Sequence, residues 1–201
     1  MYSCEFWELF NKLLNLVKQS VSETSSTEST SAKAVSGETK TFTFEAIPKT
    51  VEELKALPGG DLKDPFATAA FLVVALNNYS VSADATVAML DYLNGPESVT
   101  PYDRQFLKDR FTDGDYVIRS FFEGATPEND YKPSEPFTVK VSSNSYSDKS
   151  EGYKTLWIKS GGADAARSVT LRNKPSTGEW FISNYLLFGQ IRKPRSLDQW
   201  A

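Results

Sequence analysis

An α+β domain is the fold class this sequence predicts, and three observations carry the prediction. Helix caps recur through the first half of the body, turn residues separate β-patterned runs through the second, and the helical run precedes the strand run. That order gives four or so helices packed on one face of an antiparallel sheet built mainly by the C-terminal half. Ahead of the body the texture differs. The expected organisation is an amphipathic helix over residues 1–19, a Ser/Thr-rich flexible linker over 20–40 and a single domain over 41–201.

The opening stretch "FWELFNKLLNLVKQS" places Phe6, Trp7, Leu9, Phe10, Leu13, Leu14, Leu16 and Val17 on one half of a helical wheel. Glu5, Glu8, Asn11, Lys12, Asn15, Lys18 and Gln19 take the other half. Polar residues interrupt the apolar run and no basic region precedes it, so it is not a secretory signal, and the cytoplasm is the expected location. It is also shorter than the roughly 20 apolar residues a bilayer span needs. The tether "SVSETSSTESTSAKAVSGETK" has almost nothing to bury and does not repay its ordering entropy. Phe6, Trp7, Phe10, Leu13, Leu14 and Val17 therefore form a candidate docking face for a protein partner or another copy. A membrane surface is disfavoured, because the polar face balances two Glu against two Lys. Packing of the helix on its own domain is the blander alternative.

In the body, "TFTFEAI" alternates Phe42 and Phe44 with polar residues and predicts a strand. Thr50 and Glu53 form a capping box for a short helix that stops at Pro58-Gly59-Gly60. Asp64-Pro65 opens "FATAAFLVVALNNY", which is apolar nearly all round and belongs at the centre of the domain. Ser82 caps a helix that turns Val87, Met89, Leu90 and Leu93 inward and ends at Asn94-Gly95-Pro96. Thr100-Pro101 with Asp103 starts another, carrying Phe106, Leu107 and Phe111. "YVIRSFF" reads equally as a short helix or a strand. Strands are predicted at 137–142, 153–160, 167–173 and 179–186, with Gly161-Gly162 and Ser176-Thr177-Gly178 turning the last three.

Composition excludes several chemistries. The chain has no histidine and a single cysteine, Cys4. Ser-His-Asp and Cys-His sites, thiolate metal clusters and intrachain disulfides are therefore out of reach. No metal or cofactor is expected. A net charge of −4 is a poor start for nucleic-acid binding, which is not expected either. The charge is uneven, with acids concentrated over 113–135 and bases over 149–195.

Two segments hold the candidate ligand residues. "RSFFEGATPENDYKP" (119–133) is too polar for a core element and too aromatic for a plain linker. It reads as a connection packed over the sheet by Phe121, Phe122 and Tyr131, or as a loop in which Arg119, Glu123, Glu128 and Asp130 line a site. "SGGADAARS" (160–168) lacks the ending of a phosphate loop. It reads as a hairpin loop with Asp164 paired to Arg167, or as a small-anion contact through Arg167 and loop amides. Asp113-Gly114-Asp115 is a helix stop and restart rather than a calcium loop.

Taken together, "DPFATAAFLVVAL", "FFEGATPENDYKPSEPF", "SGGADAARSVTLR" and "EWFISNYLLFGQIRKP" are similar to a bacterial family of unknown function met mainly in Gram-positive anaerobes. The likeness covers about residues 41–201, and its most distinctive blocks are EGATPEN-Y, GGAD-R and IRKP. It implies a cytosolic stand-alone domain with no established activity, catalytic residue or cofactor. The expected role is a non-catalytic interaction or accessory protein. The alternatives are a histidine-free, metal-free enzyme using the 119–133 carboxylates on a small anion, and a peripheral membrane protein.

Overall fold

The computed structural model describes residues 37–112 and 114–200. The stretch 5–19 with its docking face, Cys4, most of the tether and Asp113 lie outside the described residues. The body is α+β, as its sequence predicts. Five strands, β1 (Thr39–Phe44), β2 (Phe137–Ser142), β3 (Tyr153–Ile158), β4 (Arg167–Lys174) and β5 (Glu179–Tyr185), form one sheet in sequence order. Every neighbouring pair is antiparallel. Among the described residues all five α-helices fall between β1 and β2: α1 (Val51–Ala56), α2 (Pro65–Asn77), α3 (Ala83–Asn94), α4 (Pro101–Thr112) and α5 (Tyr116–Arg119). The first strand takes in Thr39 and Lys40, which the sequence reading gives to the linker.

Alternation fixes which sheet face is covered. Val139, Val141, Leu156, Ile158, Val169, Leu171 and Ile182 are all buried on one side. Their strand neighbours Thr155 and Thr170 pair on the opposite side, hydroxyl to hydroxyl at 3.2 Å. Helix α2 lies on the buried face and touches every strand. Each of its residues from Phe66 to Leu76 is buried, so it presents no face to water. Its start is fixed twice by one side chain. Asp64 Oδ1 accepts the Phe66 N–H at 2.9 Å, and Asp64 Oδ2 meets Lys40 Nζ of β1 at 3.0 Å.

Helices α3 and α5 cover α2 away from the sheet. Helix α3 is capped by Ser82, which accepts the Ala85 N–H at 3.2 Å, and the buried Thr86 hydroxyl donates to the Ala75 carbonyl of α2. It stops at Gly95, whose φ of +65° suits glycine and where a Cβ would strike the Phe181 ring. Helix α4 opens with reciprocal bonds between Thr100 and Asp103, yet only Leu107 of its residues is buried. The ambiguous "YVIRSFF" is the helical turn α5, followed by the buried Phe121 and Phe122. Ile118, Phe121 and Phe122 join the core, and Phe122 packs edge-on against Phe137 of β2.

Because α2 is packed on every side, truncating it leaves a cavity that the layers cannot close. Leu72→Ala is expected to lower unfolding stability by about 2–5 kcal/mol in denaturant titration. A loss below about 1 kcal/mol would mean that α2 is not the centre of the core.

Candidate functional site

Three distant stretches meet in one corner beside the core. Tyr131 is 0 % exposed, and its hydroxyl donates to the Arg192 carbonyl at 2.7 Å while its ring stacks on Tyr116. The Arg192 N–H donates to the Gly162 carbonyl at 2.9 Å, so the main chain at Arg192 is held on both sides. Gly162 N–H bonds Ser160 Oγ, which in turn donates to Ser120 Oγ, and Gly161 N–H reaches the Ser120 carbonyl. The glycines are needed for close approach. A Cβ at Gly161 would lie 1.9 Å from the Ala125 carbonyl oxygen, and one at Gly162 would lie 1.9 Å from the Tyr131 hydroxyl. The EGATPEN-Y, GGAD-R and IRKP stretches thus contact one another. Burial pushes the Tyr131 phenol up to about 12, against the pull of the Arg192 charge.

The nominated ligand residues are dispersed around this corner. Arg119 pairs with Asp115 at 2.9 Å, one turn back on α5. Glu123 pairs with Lys140 of β2 at 2.9 Å. Asp130 accepts the Ser196 N–H at 2.9 Å, and that bond, with the Ser196 side chain, holds its carboxyl below the usual range. Glu128 is likewise lowered, first by its own backbone N–H, then by the Thr126 side chain, with Arg192 and Arg195 helping. The expected Asp164–Arg167 pair does not form. Asp164 at the loop tip pairs with Arg192 at 3.0 Å, and Arg167 spreads its guanidinium over the Gly189, Ala165 and Gln190 carbonyls. The reason is geometric: Arg167 opens β4 beside the 189–190 turn, whose carbonyls suit a planar fork.

A trench of about 440 Å³ beside the corner is lined by Pro127, Glu128, Arg192, Lys193, Arg195 and Asp198. Of the six nominated residues only Glu128 lines it. Arg192, Lys193 and Arg195 face Glu128 and Asp198 across it, so its net field is weakly positive. Glu123, Glu128 and Asp130 are each committed to different partners, and none of them is placed to share a proton with another.

The larger cavity is one that the sequence reading does not anticipate. It measures about 610 Å³ and lies between α3, α4 and the edge strand β5. Leu90, Leu107 and Ile182 form its buried floor, and Tyr102, Phe106 and Tyr185 are its aromatic lining. Glu97 and Asp103 line it too, and no lysine or arginine does. Burial raises the Tyr185 phenol to about 12, with the Asp103 carboxylate adding to the effect. Tyr102, beside the Thr100–Asp103 cap, is 78 % exposed on a helix that buries little.

A family model described as "Domain of unknown function (DUF6935)" matches residues 46–195. No curated protein and no solved structure matches the chain. Among the described residues, no helix is long and apolar enough to cross a membrane.

Two measurements test the corner. Gly162→Ala is expected to cost about 1–3 kcal/mol of unfolding stability, because the new methyl displaces Tyr131. Gly189→Ala is the control, since a Cβ there meets nothing within 4 Å, and it should stay within about 0.5 kcal/mol of the parent. The second concerns pH. The Tyr131 phenol ordinarily titrates at 10.0 and is raised to about 12 in the fold. Its contribution is therefore complete below pH 10 and is lost as pH climbs through the folded value. Tyr185 titrates in the same window, so the comparison is with Tyr131→Phe. The variant should start less stable and lose less stability between pH 10 and 12; equal slopes would show that the hydroxyl is not buried.

Proposed function

The chain belongs to the DUF6935 family, which carries no assigned activity, and on that premise we propose that it is a non-catalytic interaction or accessory protein. In this reading the α+β body binds a protein or a small polar ligand. Residues 5–19 are its docking or self-association arm, with Phe6, Trp7, Phe10, Leu13, Leu14 and Val17 as the contact face. A bacterial origin and a cytoplasmic setting belong to the same proposal. The setting accords with a chain that has a single cysteine.

The observation that carries this reading is the dispersal of the loop carboxylates. Acid–base catalysis without histidine needs two carboxyl groups, or one with a tuned partner, converging on the reacting atoms. Here Glu123 is bound to Lys140, Asp130 to the Ser196 backbone, and Glu128 alone enters the trench with Arg192 and Arg195. Such an arrangement suits recognition of a charged group better than turnover. For the arm, support comes from the clean division of its helical wheel and from a polar face too balanced in charge to favour anionic lipid.

Light scattering after gel filtration on the full chain and on residues 37–201 tests the arm. The full chain is expected to run as an oligomer or with a captured partner, and the truncated one as a folded monomer. Phe10→Glu in the full chain should reproduce the truncation by placing a charge in the contact face. Identical masses for all three, with identical pull-down partners, would remove the arm from the proposal.

A further inference from the structure

We propose that the cavity between α3, α4 and β5 is a binding site for an organic ammonium group, primary or methylated, carried on a short alkyl chain. Its lining assigns this class through three properties that coincide. The floor of Leu90, Leu107 and Ile182 is apolar and buried, which suits an alkyl stem. The rings of Tyr102 and Tyr185 line it beside Phe106, and aromatic π-faces attract a cation. Glu97 and Asp103 bring two negative charges, with no basic side chain among the lining residues to neutralise them.

The two carboxylates are only partly occupied by the protein itself. Both bonds that Asp103 accepts from Thr100, from its N–H at 2.8 Å and its hydroxyl at 2.6 Å, fall on Oδ2. That leaves Oδ1 available. Glu97 is 74 % exposed and faces Arg172 at 3.9 Å, a separation at which an exposed pair is weak. Of the α4 cations, Arg104 lies 3.8 Å from the exposed Asp84, a pair as weak as Glu97–Arg172, and Arg110 stands over the Phe106 ring at 5.0 Å; neither lines the cavity. The Arg110 contact shows that an α4 ring already holds a cation.

The edge position explains why such a space exists. Strand β5 ends the sheet, and the helix beside it, α4, buries Leu107 alone, so the edge is roofed without being filled. Trp180 N–H closes the other end of this edge on the Leu62 carbonyl at 2.8 Å. What remains is a water-accessible slot with an apolar base and a negative rim. Anions are repelled by it, and a neutral alcohol gains only the apolar part. This site concerns the body alone and stands whether or not residues 5–19 dock to anything.

Calorimetric titration of the full chain with n-butylammonium and with n-butanol tests the assignment. The ammonium is expected to bind about tenfold more tightly than the alcohol. Glu97→Gln, a change at an exposed side chain, should reduce the ammonium affinity about threefold and leave the alcohol unaffected. Asp103→Asn keeps an oxygen for the Thr100 cap and should reduce it further. A second readout is spectroscopic and uses n-butyltrimethylammonium, which keeps its charge at high pH: when bound it should lower the pKa of Tyr185, read as tyrosinate absorbance that Tyr185→Phe abolishes. Nα-acetyl-lysine amide separates the two sources of the group. If it binds more tightly than n-butylammonium, the group is a lysine side chain of a protein; if less tightly, a free amine. Equal binding of ammonium and alcohol, no binding of either, or affinity unchanged by both carboxylate substitutions would overturn the site.

Discussion

A helix with no solvent face constrains everything around it. From Phe66 to Leu76, α2 buries every side chain, so it needs apolar cover in all directions at once. The sheet supplies one side, and α3 and α5 pack against the helix away from it. The alternating valine, leucine and isoleucine pattern of β2, β3 and β4 is the complement of this helix. Asp64 sits where the helix begins and also anchors β1 through Lys40, so a single carboxylate joins the two layers at their margin. The energy of that surface pair is small. Its value lies in orientation, because the same side chain also satisfies a helix N–H that has no other partner.

A second constraint operates away from that core. The Tyr131 hydroxyl, the Arg192 main chain and Gly162 hold the post-sheet segment against the loop before β2. Buried hydrogen bonds of this kind contribute little net energy each but are costly to leave unmade, so they select one arrangement of the loops. The corner therefore reads as structural, with the charged trench as its outer surface. The β5 cavity has a different character: its floor of Leu90, Leu107 and Ile182 is apolar, while polar residues such as Asn94, Glu97, Asp103 and Asn184 share its walls with aromatic rings.

What was legible in the sequence is what depends on local chemistry. Thr50, Asp64, Ser82 and Thr100 each announce a helix start because a cap acts on an N–H two or three residues away. Strand β2 has its predicted bounds, and β3 stops two residues early, at Ile158, ahead of Ser160 and Gly161, which bond Ser120. Partner choice was not legible. Asp164 prefers Arg192, 28 residues away, to the neighbouring Arg167, and nothing in the local pattern encodes that. Nor could periodicity show the cavity, since it arises from where α4 lies relative to a sheet edge. "YVIRSFF" stayed ambiguous because a run of that length fits both periods.

The placement of β1 has a consequence for how the chain assembles. Phe44 pairs with Phe137, and the five described α-helices are strung between them. Such a pairing raises contact order, and it forms only after the intervening loop entropy has been overcome. On a ribosome adding roughly 5–20 residues per second, β1 emerges well before its partner and waits on the order of ten seconds. During that interval Phe42 and Phe44 belong to an unpaired strand beside a completing helical layer. The first strand of the sheet is thus the one that waits longest for a neighbour, and the polar Thr39, Thr41 and Thr43 between its apolar positions keep it soluble while it waits.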